Sequence, residues 1–287
     1  MIDFRTPPVR NRRRRMWLAA PMVAGLLFAG GMWLPTVWSS TVTPPASPLP
    51  SAAAPIFAPA PPPSAAASPS PTSAAPVPVA QNALALPGKV PTHGSGRFDV
   101  APGRSRIFGT AGAVRRYHVA VERGSNEDLT AFAAQVEATL GDGRSWVGDG
   151  NLRLQRVPGT EPASFTVYLA TRDTAGRMCR VGGVNITVGG RPYTSCRATG
   201  RAIINLDRWR LSAPTYVSAR IPLAVYRQYV VNHEVGHELG RHHEGCPRLG
   251  GPAPVMVQQT LTLRGCVPYA WPRRGDRPLQ GPAVRAG

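Results

Sequence analysis

The sequence predicts an α+β domain that is preceded by one transmembrane helix and a disordered linker. Three observations predict this arrangement. Residues 16–38 form an uncharged apolar stretch, residues 39–95 are dominated by Pro, Ala and Ser, and from about residue 96 strand-like and helix-like patterns alternate. The 287 residues therefore divide into a basic cytoplasmic tail (1–15), a transmembrane segment (16–38), a linker (39–95) and a folded domain (96–287).

Residues 16–38 are long enough to cross a hydrocarbon core of about 30 Å as a helix. Four arginines at 12–15 precede the segment and favour a cytoplasmic N-terminus, and Trp17, Trp33 and Trp38 lie near its ends, where interfacial aromatic residues occur. We therefore expect a single-pass membrane anchor with an extracytoplasmic domain. A cleavable signal peptide, followed by secretion, is the alternative.

The linker at 39–95 cannot bury a hydrophobic core, because it contains few large apolar side chains and many prolines. Prolines at this density favour polyproline II, a semi-rigid spacer that extends by about 3.1 Å per residue. The linker therefore holds the folded domain away from the membrane and carries no chemistry of its own.

The formal net charge of the chain is +18, and arginine carries almost all of it. A charge of this sign suits nucleic acid, an anionic membrane surface or an acidic polymer. The folded region has no basic run interleaved with aromatic residues, so we expect no nucleic-acid partner. An anionic envelope polymer stays open as a partner, although a GC-rich genome explains the arginine content equally well. We expect the protein to be a monomer.

Five strands and two helices are predicted in the folded domain, in the order β-α-β-β-β-β-α, and a loop-rich tail follows them. Alternating or β-rich patterns predict the strands, and a spacing near 3.6 with terminal glycines predicts the helices. The second helix also has a proline in its first turn. The predicted strands are 114–122, 152–157, 165–170, 184–188 and 202–206, and the predicted helices are 125–143 and 222–240.

The chain contains four cysteines, Cys179, Cys196, Cys246 and Cys266, and no C-x-x-C pair. An even number of cysteines in an exported domain favours two disulfides. Three pairings are possible in principle, and we expect the sequence-local one, Cys179–Cys196 and Cys246–Cys266, because it closes the shortest loops. Four free buried thiols are the alternative.

The stretch NHEVGHELGRHHEGC at residues 232–246 contains the candidate metal site. His233 and His237 are four residues apart on a predicted helix, so their side chains project from one face. Glu234 lies beside them, where it can act on a metal-bound water. The spacing predicts that two imidazoles bind one metal ion next to a carboxylate.

Two further residues complete the string H-E-x-x-H-x-x-G-x-x-H. Gly240 tolerates the positive φ that ends a helix sharply, so the chain can turn back and bring His243 to the same ion. Three neutral nitrogen ligands leave a fourth position open for water, which is the arrangement of a catalytic zinc site.

The string resembles the metzincin zinc peptidases, and the resemblance covers roughly residues 110–270. It implies one Zn²⁺ per chain, bound by His233, His237 and His243, and hydrolysis of protein or peptide substrates with Glu234 as the general base. It also implies a mixed sheet ahead of the active-site helix, with an antiparallel edge strand that lines the cleft and pairs with extended substrate. By order, residues 184–188 would form that edge, with Cys179–Cys196 joining its flanks.

Metzincins also have a methionine turn beneath the metal. Met256 is the sole Met after the motif, and the resemblance therefore gives it this role, inside the loop that Cys246–Cys266 would close. Tyr269 is the sole downstream Tyr and is a candidate for stabilising the transition state. Glu244, directly after the third histidine, is similar to the choice of astacins at that position, although it can also form a salt bridge with a nearby arginine.

Several alternatives stay open. His242 can replace His243 as a ligand, but its spacing does not fit the metzincin string. A class of zinc peptidase with a downstream Glu ligand is disfavoured, since no Glu follows Glu244. The alternative function is a non-catalytic envelope-binding module with a structural or vestigial zinc site. Glu234 favours the enzyme, because a structural site does not require it.

Overall fold

The computed structural model of the chain describes residues 82–284. The predicted cytoplasmic tail, the predicted transmembrane segment and nearly all of the predicted linker lie outside these residues. Within residues 82–284, none of the helices combines the length and the apolar character that a membrane span needs.

The described part of the chain is an α+β domain that contains a six-stranded mixed sheet, as the sequence predicts. Its strands run in the order β1-β2-β4-β8-β7, and β3 also pairs with β2. β2, β3, β4 and β8 are parallel to one another, whereas β1 and β7 run antiparallel to their neighbours. The strands are β1 (Phe98–Val100), β2 (Ala113–Glu122), β3 (Leu152–Arg156), β4 (Phe165–Ala170), β5 (Thr187–Val188), β6 (Arg191–Pro192), β7 (Cys196–Ala198), β8 (Arg201–Asn205), β9 (Arg273–Arg274) and β10 (Arg277–Pro278).

The helices connect the strands and cover the sheet. They are α1 (Leu129–Leu140), α2 (Arg172–Val181), α3 (Leu206–Leu211), α4 (Pro214–Ser218) and α5 (Leu223–Glu238), and a short 3-10 helix spans Trp146–Asp149. Apolar side chains of α1 and α5 join those of the central strands in one hydrophobic core. Parallel strands need this cover, because both of their faces are apolar.

Four of the predicted strands and both predicted helices are confirmed, with small differences at their ends. The first helix begins later than residue 125, because the carboxylate of Asp128 caps it by accepting a hydrogen bond from Ala131 N (2.6 Å). It ends where Gly141 follows Leu140. The folded domain also begins before residue 96, since Ala83 O accepts a hydrogen bond from Leu223 N (2.8 Å).

The prediction that residues 184–188 form the antiparallel edge of the main sheet is wrong. In this segment only Thr187–Val188 is a strand, and it pairs with β6 in a separate two-stranded hairpin. Gly189 and Gly190 both adopt positive φ, so the chain reverses at once and β5 pairs with β6. The antiparallel edge strands of the main sheet are instead β1, which pairs with β2, and β7, which pairs with β8.

Helix α2 is not predicted by the sequence pattern. The buried face of this helix consists of Thr174, Ala175, Gly176 and Cys179, all of them small side chains. A Cβ at Gly176 would lie 2.5 Å from Pro192 Cγ, so the helix needs glycine where it contacts β6. Small buried residues give little hydrophobic periodicity, and the pattern search therefore had no strong signal.

Both expected disulfides are present. Cys179–Cys196 joins α2 to β7, and Cys246–Cys266 closes a loop after α5. No cysteine of the chain is free.

Candidate metal centre

The three histidines of the motif come together at the C-terminal end of α5. His233 and His237 lie one turn apart on the helix, and the helix ends directly afterwards. Gly240 has a φ of 83°, and Arg241 N donates to Gly236 O (2.9 Å), so the chain turns back across the helix end. His243 thereby joins the pair, and one ligand atom from each residue lies within 4.8 Å of the other two. The cluster is therefore able to hold a metal ion.

Backbone carbonyls orient two of the rings. Nδ1 of His233 lies 2.8 Å from Val255 O, and Nδ1 of His237 lies 2.8 Å from Arg241 O. A carbonyl oxygen only accepts hydrogen bonds, so Nδ1 of each ring must carry the proton. Nε2 of each ring therefore keeps a free lone pair that can bind a metal ion. Hydrogen bonds of this kind set the tautomer and the direction of histidine ligands.

The spacing of the nitrogens suits a small tetrahedral ion. His237 Nε2 lies 3.2 Å from His243 Nε2. Two nitrogens bound to zinc at 2.0–2.1 Å in tetrahedral geometry lie roughly 3.3 Å apart. The two rings are therefore already near the separation that such an ion would impose.

Burial keeps the cluster uncharged at neutral pH. It lowers the pKa of His233 well below the ordinary value, and the neighbouring His237 lowers it further. Burial also lowers the pKa of His237, and it lowers that of His243 to about 4. Neutral imidazoles are the form that binds metal, so protons compete little with an ion at this site near pH 7.

Glu234 lines the same cavity as the three histidines, and the cavity has a volume of about 290 Å³. The residue is 5% exposed, and burial raises the pKa of its carboxyl group to about 8. A divalent cation next to it would favour the ionised form. Glu234 is thus a buried proton-accepting group beside a candidate metal site.

Met256 lies beneath the helix that carries the ligands. A Cβ at Gly236 would lie 2.6 Å from Met256 Sδ and 2.6 Å from the Trp146 ring, so glycine lets both side chains pack against this turn of α5. Met256 O also accepts a hydrogen bond from Glu244 N (3.1 Å). Met256 therefore packs against the helix that carries His233 and His237 from within the Cys246–Cys266 loop.

The structure separates the other candidates. His242 lines the cavity but is exposed and is not part of the three-histidine cluster. Tyr269 does not line the cavity, and its hydroxyl group donates to Arg273 O (2.8 Å). The structure thus does not bring Tyr269 to the site. Glu244 accepts a hydrogen bond from Gly281 N (3.0 Å), and it forms no ion pair among the described residues.

Two features of the site were not predicted. Tyr229 lies one turn before His233, with the ring centroids 5.4 Å apart, and its hydroxyl group donates to Val257 O (3.0 Å). The helical spacing of four residues was the signal that could have indicated it. The side chain of Glu238 reaches across to β7, and this contact had no signal in the sequence.

The fold and the cluster define an α+β protein with a candidate three-histidine metal centre at the end of a helix. The model of the family described as "Protein of unknown function (DUF3152)" matches residues 85–269, and the chain therefore belongs to that family. Comparison with curated proteins and with solved structures gives no significant match.

Proposed function

We propose that this protein is a zinc-dependent metalloendopeptidase of the metzincin type. One observation carries the proposal. Three histidine nitrogens converge within 4.8 Å, and a buried glutamate, Glu234, lines the same cavity. A structural metal site needs the ligands alone, whereas hydrolysis also needs a base beside an open position on the metal.

Zinc is the ion that the ligand set favours. Three neutral imidazoles without a carboxylate or thiolate ligand suit a tetrahedral zinc site with one open position. Calcium and magnesium prefer oxygen ligands, and the cluster offers none of its own. We therefore propose one Zn²⁺ per chain, bound by His233, His237 and His243.

The residues of the chain divide the chemistry between them. When bound, zinc would lower the pKa of a coordinated water and polarise the carbonyl group of the substrate. Glu234 would accept a proton from the attacking water as the water oxygen bonds to the carbonyl carbon, and it would pass that proton to the amine nitrogen as the C–N bond breaks. Val255 and Arg241 hold two of the histidine rings in place through their carbonyl oxygens.

The edge of the sheet supports a peptide as substrate. Cys196 and Arg197 of β7 line the cavity together with His237, so an edge strand of the sheet adjoins the candidate site. In metzincins the antiparallel edge strand pairs with extended substrate, and β7 is an antiparallel edge strand next to the candidate site. We propose that an extended peptide adds to this edge.

We further propose that the domain acts outside the cytoplasm. Two disulfides support this location, because such bonds persist in oxidising compartments. The proposed membrane anchor at 16–38 and secretion after signal cleavage are both compatible with it.

The test is a cleavage assay on a peptide library with the full-length protein and one equivalent of zinc. We expect Glu234→Ala to retain zinc and to lose at least about 10²-fold in kcat, since a general base contributes about 10²–10⁴-fold. Glu161→Ala, which removes a glutamate that does not line the cavity, is the control and should cleave like the unchanged protein. Equal cleavage by Glu234→Ala would refute the catalytic role of this residue.

A different outcome would favour the non-catalytic alternative. If the protein binds zinc, cleaves no peptide of the library and binds anionic envelope polymers in a salt-sensitive manner, it is a binding module. The high net charge of +18 is the observation behind that alternative.

A further inference from the structure

We propose that Glu238 is a positioning residue that holds the edge strand β7 beside the metal-binding histidines and thereby sets the affinity for extended peptides. This inference rests on the proposed function, because it concerns the strand to which a substrate would add. It assigns to Glu238 a role in substrate binding and none in the chemistry.

One carboxylate joins the end of α5 to the edge of the sheet. Glu238 is the last residue of α5 and directly follows His237. Its Oε1 accepts hydrogen bonds from Arg197 Nε (3.0 Å) and Arg201 N (3.1 Å), and its Oε2 accepts one from Gly200 N (3.2 Å). The side chain is only 6% exposed, so these contacts are largely protected from water.

The contacts fall on the turn between β7 and β8. Ala198 and Arg201 face each other in the strand register, so two residues form the turn, and Gly200 has a φ of 76°. Glu238 thus binds both backbone N–H groups of residues 200 and 201, in addition to a side chain of β7. Hydrogen bonds to a charged acceptor stabilise a structure more than hydrogen bonds between neutral groups.

The opposite end of β7 is fixed independently. Cys196, its first residue, is bonded to Cys179 of α2. Next to it, Ser195 Oγ accepts a hydrogen bond from Asn205 N (3.1 Å). A strand of three residues has few ladder hydrogen bonds of its own, so its direction depends on what holds its two ends. The disulfide holds one end, and the Glu238 carboxylate holds the other.

This arrangement couples the width of the cavity to Glu238. The strand on one side and the helix that carries His233 and His237 on the other both line the cavity. The backbone of Glu238 is itself fixed, since its carbonyl oxygen accepts a hydrogen bond from Arg115 NH1 (3.0 Å). The carboxylate therefore sets the distance between the strand and the metal-binding helix.

Loss of the carboxylate should release the turn without disturbing the metal. In Glu238→Ala, two backbone N–H groups and the Arg197 guanidinium lose their acceptor, and the end of β7 can move. The ring of His237 keeps its own hydrogen bond to Arg241 O. A peptide that pairs with β7 then loses binding in the ground state and the transition state alike, which raises KM and leaves kcat unchanged.

The experiment compares two fluorogenic substrates of the full-length zinc-loaded protein. One is an extended peptide of about eight residues, and the other is a minimal substrate that is too short to pair with β7. For Glu238→Ala we expect KM to rise about tenfold for the extended peptide, the equivalent of one lost hydrogen-bonded contact of about 1.4 kcal/mol. The KM for the minimal substrate and the zinc content of the protein should be unchanged. Glu238→Gln keeps one acceptor oxygen, so its KM for the extended peptide should lie between the values of the unchanged protein and of Glu238→Ala.

Glu137→Ala is the matched control. It removes an ion pair to Arg156 that joins α1 to β3 and does not line the cavity. This variant should lose stability and keep the KM ratio of the two substrates. An equal loss for both substrates in Glu238→Ala, or a loss of zinc, would mean a general structural role and would overturn the inference.

Failure of the proposed function gives a different result. If the unchanged protein cleaves neither substrate, peptidase activity is refuted, and amide hydrogen exchange then decides the role of Glu238. We expect the amides of residues 197–201 to exchange faster in Glu238→Ala than in the unchanged protein or in Glu137→Ala. Unchanged exchange would overturn the inference, whether or not the protein is a peptidase.

Discussion

Of the adjacent residues His242 and His243, only His243 belongs to the three-histidine cluster. Both follow the helix end, but His243 lies 3.2 Å from His237, whereas His242 is exposed. The positive φ of Gly240 and the hydrogen bond from Arg241 N to Gly236 O set the direction of the chain here. As a result, only the second of the two neighbouring rings points into the cluster.

The two histidines should therefore respond differently to substitution. We expect His243→Ala to lower zinc affinity by at least about tenfold, since even loss of a hydrogen-bonding partner of a ligand costs 10–100-fold. His242→Ala should keep the affinity of the unchanged protein. Competition with a chromogenic chelator measures both values, and the opposite order would show that the ligand assignment is wrong.

The metal ligands were predictable from the sequence because they belong to one short string with fixed spacing. The need for glycine at position 236 was not predictable in the same way. It arises from Met256 and Trp146, which approach the helix from 20 residues later and 90 residues earlier in the chain. Contacts between distant residues leave no mark on a local pattern, and the same holds for the bond between Glu238 and Arg197.

At the scale of elements, the segment 281–284 supports the third ligand. Gly245 N donates to Pro282 O (2.7 Å), and Val284 N donates to His243 O (3.1 Å). Glu244 adds a side-chain bond to Gly281 N. This segment therefore pairs with the chain on both sides of Glu244 and fixes the backbone that carries His243.

A substitution in this segment should weaken the metal site from a distance. A Cβ at Gly281 would lie 2.0 Å from Gly245 O, so Gly281→Ala should displace the segment. We expect zinc affinity to fall by about tenfold, as it does when support for a ligand is lost. Gly143→Ala is the control, because a Cβ there meets no atom within 4 Å. Unchanged affinity in Gly281→Ala would show that the segment is not needed.

The elements that were predicted correctly are those with large buried side chains. β2, β4 and β8 supply Tyr117, Val167 and Ile204 to the core, and their β-branched and aromatic residues form short runs that are visible in the sequence. Helix α2 buries only small side chains, and β7 is only three residues long. Neither element therefore shows a recognisable pattern. Residues 184–188 were expected to form the edge because β7 was not predicted, so that this segment was the last predicted strand before 202–206.

At the scale of the molecule, the candidate metal centre draws on separate parts of the described chain. Two ligands belong to α5, and the third lies beyond the helix end. The carbonyl group that orients His233 belongs to Val255, inside the loop closed by Cys246–Cys266. An ion bound here would connect these parts, and it would bind the folded state alone.

Removal of the metal should therefore destabilise the folded protein. A ligand present at 100 times its Kd adds about 2.7 kcal/mol to the free energy of unfolding, provided that it binds only the folded state. We expect a chelator to lower the midpoint of thermal unfolding by several degrees, and added zinc to restore it. The variant His243→Ala should show a smaller shift, because it binds zinc more weakly. If neither chelator nor added zinc changes the midpoint of thermal unfolding, the result would contradict a bound metal at this site.

The pairing of residues 281–284 with the chain around Glu244 also has a consequence in time. Translation runs from the N-terminus, so the helix with its first two histidines emerges long before the segment that fixes His243. The three histidines therefore reach their final arrangement only after residues 281–284 have folded back onto the chain around Glu244.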